Sequence, residues 1–200
     1  MSYRTDGLPI QSYAQENAEQ FKEVVTFVFL TIQQPFKGVP AQCQDVRDNG
    51  IESRYLWGWK REGFAYIEAH GAEVWQKCNT LYREQPEGWQ VAIMQELVKV
   101  PGLGVVKAGF VTQLCWGFGG CFDTHNLRAW GFDTETFKLP KSLKPSTVRQ
   151  KIAVYLDVVE RVGGTERLWD LWCERVASVY PKWYRDAEHV SHLHRVALGL

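Results

Sequence analysis

Cysteine is scarce in this sequence of 200 residues, and its five cysteines form no pattern. They occur at irregular spacings, at Cys43, Cys78, Cys115, Cys121 and Cys173. A disulfide framework or a zinc motif needs cysteines at paired spacings, so the sequence indicates neither. We therefore expect a reducing compartment, and we predict that Cys115 and Cys121 are core thiols rather than metal ligands.

Long apolar runs are also absent. The run VVTFVFLTI at residues 24–32 has nine residues, about half of what a membrane-spanning helix needs. No secretory signal peptide is recognisable near residue 1. These absences favour a soluble protein of the cytoplasm that does not bind membranes.

The chain has no excess of charge, because 23 Lys and Arg residues balance 23 Asp and Glu residues. A DNA-binding protein needs a local concentration of basic residues. One acid-free stretch offers it, with Lys138, Lys141, Lys144, Arg149 and Lys151. The stretch is either a solvated loop and helix start or a DNA contact, in which case Lys141 and Lys144 are the candidate residues.

No segment of convincing length alternates apolar and polar residues as a strand does. Apolar residues recur at helical spacing instead, so we predict an all-α fold with two helical lobes and the site between them. The unit spans residues 1–200, with a central lobe at about 36–122 and a second lobe at about 14–35 plus 123–200. Residues 1–14 are predicted to form a loose arm.

The most informative segment is VPGLGVVKAGFVTQLCWGFGGCFDTHNLR, residues 100–128. Apolar residues at helical spacing precede and follow Pro101, Gly102 and Gly104, which predicts a helix-hairpin-helix unit over residues 89–116. We expect both glycines to be needed for the tight turn. Such a hairpin aims backbone N–H groups and a positive helix end at one point, which suits a phosphate.

Asp123 begins the motif DTHNLR about twenty residues after the hairpin, where another helix is predicted to start. An aspartate at this position is either a helix cap or a chemical reagent. The residues alone leave both roles open.

The hairpin VPGLG followed by FDTHNLR resembles the core of the helix-hairpin-helix DNA glycosylase superfamily, the endonuclease III-like proteins. The resemblance implies that Asp123 is catalytic and that Gly102, Gly104, Val105 and Val106 contact DNA through the main chain. Lys107 would add a charge. Leu30-Thr31-Ile32-Gln33 is similar to the family's L-x-x-Q pattern, whose glutamine enters the DNA, with Gln34 as the alternative register.

Two departures from the family pattern concern its chemistry. Members that also cut the strand have a lysine where this chain has Val106, and Lys107 would project about 100° away on a helix. Lyase chemistry through an imine is therefore not expected. Four cysteines that hold an iron-sulfur cluster in many members are missing, so no cofactor is expected beyond a monovalent cation at the hairpin backbone.

The resemblance implies an enzyme that acts on a base of double-stranded DNA as a monomer, in the cytoplasm near the nucleoid or in a phage-infected cell. A monofunctional DNA glycosylase, with water as the nucleophile, is the first hypothesis. The first alternative is a phage-type transferase that replaces pyrophosphate on a modified thymine with an amine. The second alternative is a DNA-binding module without catalysis.

Two further groups of residues have side chains that could serve a function. His189, His192 and His194 could bind zinc, but they lack an acidic or cysteine partner, so an ordinary surface helix is predicted. Aromatic residues alternate with basic ones in residues 53–69, which indicates either base stacking or core packing.

Overall fold

The computed structural model describes residues 4–32, 35–139 and 144–200, and within these ranges it contains helices and no strand. The α-helices are α1 (Arg4–Glu16), α2 (Ala18–Thr31), α3 (Val39–Asn49), α4 (Trp59–Glu84), α5 (Trp89–Leu97), α6 (Val105–Trp116), α7 (Thr124–Ala129), α8 (Pro145–Arg161), α9 (Gly164–Val179) and α10 (Ala187–Leu198). Short 3-10 helices cover Phe36–Gly38 and Gly50–Glu52. The all-α prediction is confirmed. No helix of the described residues is long and apolar enough to cross a membrane.

The N-terminal segment corrects the prediction of a loose arm, because it forms α1. Ile10 and Ala14 lie four residues apart on one helical face, and each is only 1% exposed. Trp75 Nε1 donates to the carbonyl of Ala14 at 3.1 Å, and Gln15 Nε2 donates to the carbonyl of Cys115 at 2.7 Å. The helix is therefore held by tertiary contacts rather than by a strong sequence period.

Helix α2 lies at the centre of the fold. Its residues from Val24 to Leu30 are all buried, so it is covered on every side, as a helix inside a core must be. It packs against α1, α3, α4 and α6, and it ends at Thr31 with Ile32 as the capping residue. This ending brings the chain that follows α2 to the edge of the candidate site.

The predicted helix-hairpin-helix unit is present as α5, a turn and α6. Gly102 has a φ of +84°, and a Cβ placed on it would lie 2.6 Å from the Trp59 ring, so only glycine fits. Gly104 has a φ of −78°, and a Cβ there would meet nothing within 4 Å. The expectation that the turn needs both glycines is therefore wrong for Gly104, which any residue could replace without strain.

The helices of the two predicted lobes are in contact with one another. Helix α10 packs against α3, and α2 packs against α4. The division into a central lobe at about 36–122 and a second lobe stays a prediction.

Candidate active site at an aromatic cleft

A cleft of about 610 Å³ lies where four parts of the chain meet. They are the end of α2 with the residues after it, the start of α6, the segment leading into α7, and α9 with the residues after it. The lining residues are Thr31, Ile32, Pro35, Phe36, Lys107, Phe110, Cys121, Asp123, Thr124, His125, Trp172, Val176, Tyr180, Trp183 and Tyr184. Six of the fifteen are aromatic, so the walls offer flat apolar faces with few charges.

Asp123 lines this cleft and also caps α7. Its Oδ1 accepts hydrogen bonds from the backbone N–H groups of His125 at 2.9 Å and Asn126 at 3.1 Å. Its Oδ2 accepts a third bond from Trp172 Nε1 at 2.8 Å. The two roles left open by the sequence are therefore compatible, because the same carboxylate caps the helix and lines the cleft.

The indole of Trp172 is itself held in one orientation. It stacks on Trp169 with ring centroids 5.7 Å apart and an interplanar angle of 17°. The Phe36 ring meets it edge to face at 5.6 Å. Only 9% of Trp172 is exposed, so its N–H is fixed toward Asp123 by packing.

The glycine-rich segment before Asp123 is anchored by buried side chains. The Tyr155 hydroxyl donates to the carbonyl of Gly120 and accepts from the backbone N–H of Phe122, with 3.2 Å between the nitrogen and the hydroxyl oxygen. Gln113 Oε1 accepts from the N–H of Cys121 at 3.0 Å. These bonds fix the path of the chain into α7 and so fix the position of Asp123.

Lys107 lies in the first turn of α6 and lines the same cleft as Asp123. Its Nζ is 5.5 Å from the centre of the Phe110 ring. The side chain of Val106 is not part of the lining and packs on the core instead. Position 107 rather than 106 therefore faces the cleft, so Lys107 lies where the predicted charge would be needed.

Two polar side chains whose charges interact with Lys107 are buried, namely those of Cys121 and Lys60. Burial raises the pKa of the Cys121 thiol to about 12, so it is protonated and a poor nucleophile at neutral pH. Lys60 is fully buried and donates from Nζ to the carbonyl of Ile32 at 2.8 Å. Burial, with a smaller effect of the Lys107 charge, lowers the pKa of Lys60 to about 8.

The hairpin presents backbone donors at the start of α6. Gly104 caps the helix without a side-chain hydrogen bond, and the first backbone bond at this end joins Ala108 N to Gly104 O at 2.9 Å. The N–H groups of Val105, Val106 and Lys107 precede that bond and have no carbonyl partner within α6, which is the arrangement that suits an anion. Gly102 and Gly104 are both exposed, so a ligand can approach this backbone.

Several predicted site residues lie either outside the described residues or away from the cleft. Gln33, Gln34 and Lys141 lie outside the described residues, although Ile32 and Pro35 on either side of the two glutamines line the cleft. Lys144 is exposed, precedes α8 and does not line the cleft. The nearby Arg149 reaches Gly88, at the end of α5 opposite to the hairpin.

The three histidines differ in their surroundings, and within the described residues no group of three or more His, Cys, Asp or Glu side chains could hold a metal ion. His192 is exposed, as predicted, but His194 is fully buried. His194 lies behind three residues that line the cleft, namely Phe36, Phe110 and Trp172. Burial lowers its pKa to about 3, so His194 is a neutral core residue and not part of a surface helix face.

Sequence reasoning did not select the aromatic residues of α9 and the segment after it. Trp172, Val176 and Tyr180 are spaced four residues apart, which places them on one helical face, but that spacing is also typical of a core stripe. Tyr180 and Trp183 stack at 5.1 Å with an interplanar angle of 9° at the cleft. Only the packing of α9 beside α7 shows that this face serves the cleft.

Comparisons of this chain with protein-family models, with curated proteins and with solved structures gave no match.

Proposed function

We propose that this chain is an enzyme of the helix-hairpin-helix DNA glycosylase superfamily that acts on a base of double-stranded DNA, most specifically a monofunctional DNA glycosylase. The observation that carries the proposal is that Lys107, directly after the hairpin, and Asp123 line one aromatic cleft. The residue that follows the hairpin therefore lines the same cleft as Asp123, which is the only carboxylate among the lining residues.

The hairpin would hold a phosphate of the DNA. The free N–H groups at the start of α6 and the positive end of that helix offer hydrogen bonds and partial charge to an anion, and Lys107 offers a full charge. These contacts are independent of base sequence. They would place the neighbouring nucleotide at the mouth of the cleft.

The cleft would receive a base that has left the duplex. Its volume of about 610 Å³ is within the range of roughly 300–1,000 Å³ that is usual for small-molecule sites. Tyr180 and Trp183 line the cleft and supply aromatic surface on which a flipped base can stack.

Asp123 would assist the break of the bond between base and sugar. The bonding electrons leave with the base and the sugar carbon becomes cationic, so a carboxylate nearby lowers the energy of the transition state. Three of the roughly four lone-pair positions of a carboxylate are already used by protein donors. The remaining position can accept a proton from the attacking water, which yields free base and an abasic sugar.

Lys107 would bind an anion rather than act as the nucleophile. In this proposal, borohydride added during turnover traps no covalent adduct between protein and DNA. A trapped adduct that disappears in Lys107→Ala would replace the monofunctional assignment with a lyase.

A second candidate is favoured by the ammonium of Lys107 within the cleft. In the transferase reaction, an amine forms a bond to the methylene carbon of a modified thymine while pyrophosphate leaves with the electrons of its C–O bond. Lys107 and the free N–H groups of α6 suit an anionic leaving group, and Asp123 can accept the proton that the amine loses.

The products formed by the purified protein distinguish these functions. Duplexes with varied modified bases would be incubated with and without an amine, beside Asp123→Asn, and analysed by mass spectrometry. Release of free base supports the glycosylase, and a mass increase on the retained base supports the transferase. Binding without either product would show a DNA-binding module instead.

The proposal includes a monomer that works in the cytoplasm without an organic cofactor or iron-sulfur cluster. A monovalent cation at the hairpin backbone is compatible with it, because the carbonyl groups of a hairpin can bind such an ion beside the phosphate.

A further inference from the structure

The two oxygens of Asp123 are held by different parts of the chain. Oδ1 accepts only from the backbone at the start of α7, within three residues of Asp123. Oδ2 accepts from Trp172, which is 49 positions further along the chain on α9. The local bonds are those of any helix cap, whereas the bond to Trp172 is a feature of the tertiary structure.

Trp172 is suited to hold a carboxylate without taking part in proton transfer. The indole N–H is a donor only and does not ionise in the accessible pH range. A hydrogen bond to an ionised acceptor is roughly twice as strong as one between neutral groups. The donor therefore gives Oδ2 a fixed partner and prevents rotation of the carboxylate.

Trp169 packs beside Trp172 but has a different hydrogen-bond partner. Its ring stacks on Trp172, but its own Nε1 donates to Ser191 Oγ at 3.3 Å and not to Asp123. Both rings are buried, at 7% and 9% exposure. The two tryptophans thus share packing and differ in whether they contact the carboxylate.

We propose that Trp172 is a positioning residue that keeps the carboxylate of Asp123 aimed at the base in the cleft, an inference that rests on the proposed function. Loss of its N–H would leave Oδ2 without this partner and free to rotate. The expected result is a lower turnover number with little change in DNA affinity.

Trp172→Phe tests this inference because phenylalanine keeps an aromatic ring and lacks the donor. We expect kcat to fall about 10- to 100-fold, the scale of one lost donor or misplaced reactive group. KM should change less than threefold, because the aromatic lining of the cleft is kept. Trp169→Phe, the matched control, should keep kcat near that of the wild type.

An equal loss of kcat in both variants, or a rise of KM in Trp172→Phe that matches its loss of kcat, would reduce Trp172 to a packing residue. A thermal melt identifies variants that do not fold. The wild-type protein then supplies the decisive measurement, namely the indole N–H signals of its nine tryptophans followed by NMR through an acid titration.

One indole signal should move with the protonation of a carboxyl group, and Asp123→Asn should abolish that movement. Absence of such a signal would overturn the inference even if turnover is normal. A titrating signal in a protein that turns over no DNA base would instead overturn the proposed function, and with it the catalytic meaning of the Asp123 and Trp172 pair.

Discussion

At the scale of single residues, Asp123 combines a structural and a proposed chemical role in one side chain. The carboxylate has two oxygens, so it can cap α7 with Oδ1 and accept from Trp172 with Oδ2. An amide has only one oxygen and would have to present its NH₂ group to one of these donors. Replacement of Asp123 therefore separates the two roles.

We predict that Asp123→Asn lowers turnover by at least about 100-fold, because an amide neither stabilises a cationic sugar nor accepts a proton well. The fold should survive, since asparagine is a good cap, with a loss of about 1–2 kcal/mol for the donor that is left facing an NH₂ group. Rates of product formation and a thermal melt measure both effects. Retained turnover would reduce Asp123 to a cap.

His194 shows how burial controls the acid stability of the fold. The unfolded chain binds a proton on this histidine near pH 6.5, whereas burial delays protonation in the folded protein to about pH 3. The unfolded state thus binds more protons between these values, and stability falls as the pH falls. The stabilisation from neutral His194 is complete above pH 6.5 and is lost toward pH 3.

We predict that His194→Gln removes this contribution, which amounts to as much as about 1.4 kcal/mol for each pH unit in that window. Chemical denaturation at several pH values between 3.5 and 7 would show that the free energy of unfolding depends less steeply on pH than in the wild type. The exposed His192 supplies the control, because His192→Gln should leave the dependence unchanged. The same steep dependence in His194→Gln would assign the acid sensitivity to other groups.

At the scale of structural elements, the hairpin contains two glycines with different tasks. Gly102 is required by the fold, since it has a positive φ and its α-carbon approaches Trp59 of α4. Gly104 is not required by the fold and leaves an open surface in front of the free N–H groups of α6. The first glycine shapes the hairpin and the second leaves room for a ligand.

We predict that Gly102→Ala mainly affects stability, whereas Gly104→Ala mainly affects DNA binding. Gly102→Ala should lower the free energy of unfolding by about 1–3 kcal/mol, because a Cβ there meets both strain and the Trp59 ring. Gly104→Ala should keep the stability of the wild type and weaken binding to all DNA sequences alike, since the added methyl group hinders close approach of a phosphate. Thermal melts and binding to unrelated duplexes measure the pair. Unchanged affinity in Gly104→Ala would exclude the hairpin from the interface.

At the scale of the whole molecule, the net charge of zero is compatible with local pairing of charges. A separate groove is lined by Glu19, Glu23 and Glu68 together with Lys22 and Arg47, and there Glu19 pairs with Lys22 at 2.7 Å and Glu23 with Arg47 at 3.5 Å. The proposed DNA face has Lys107 in the cleft and Lys37 over the Trp183 ring at 4.5 Å. Overall neutrality therefore does not argue against a nucleic-acid partner.

We predict that Lys107→Ala weakens DNA binding and reduces the slope of log affinity against log salt by about one, as expected for the loss of one phosphate contact. Lys77→Ala is the control, since Lys77 is exposed, pairs with Glu96 at 2.9 Å and lies about 27 Å along α4 from Trp59 at the hairpin. Equal slopes for wild type and Lys107→Ala would remove Lys107 from the phosphate contacts. Lys144→Ala, measured beside them, tests the basic stretch before α8.

The sequence by itself determined the features that depend on neighbouring residues. Turn-forming glycines between two apolar helical periods indicated α5, the hairpin and α6, and Asp123 before Thr-His marked the start of α7. The absence of alternating segments indicated an all-α fold. These features follow from backbone preferences and helical spacing, which act over a few residues and can be recognised without knowledge of the rest of the chain.

Only the tertiary structure decided which residues surround Asp123. The bond from Trp172, the placement of Lys107 rather than Val106 in the cleft and the burial of His194 all depend on how helices far apart in sequence pack together. Helical spacing shows that residues share a face but does not show whether that face meets the core, solvent or a site. That difference arises because packing is a property of pairs of elements, whereas periodicity is a property of one.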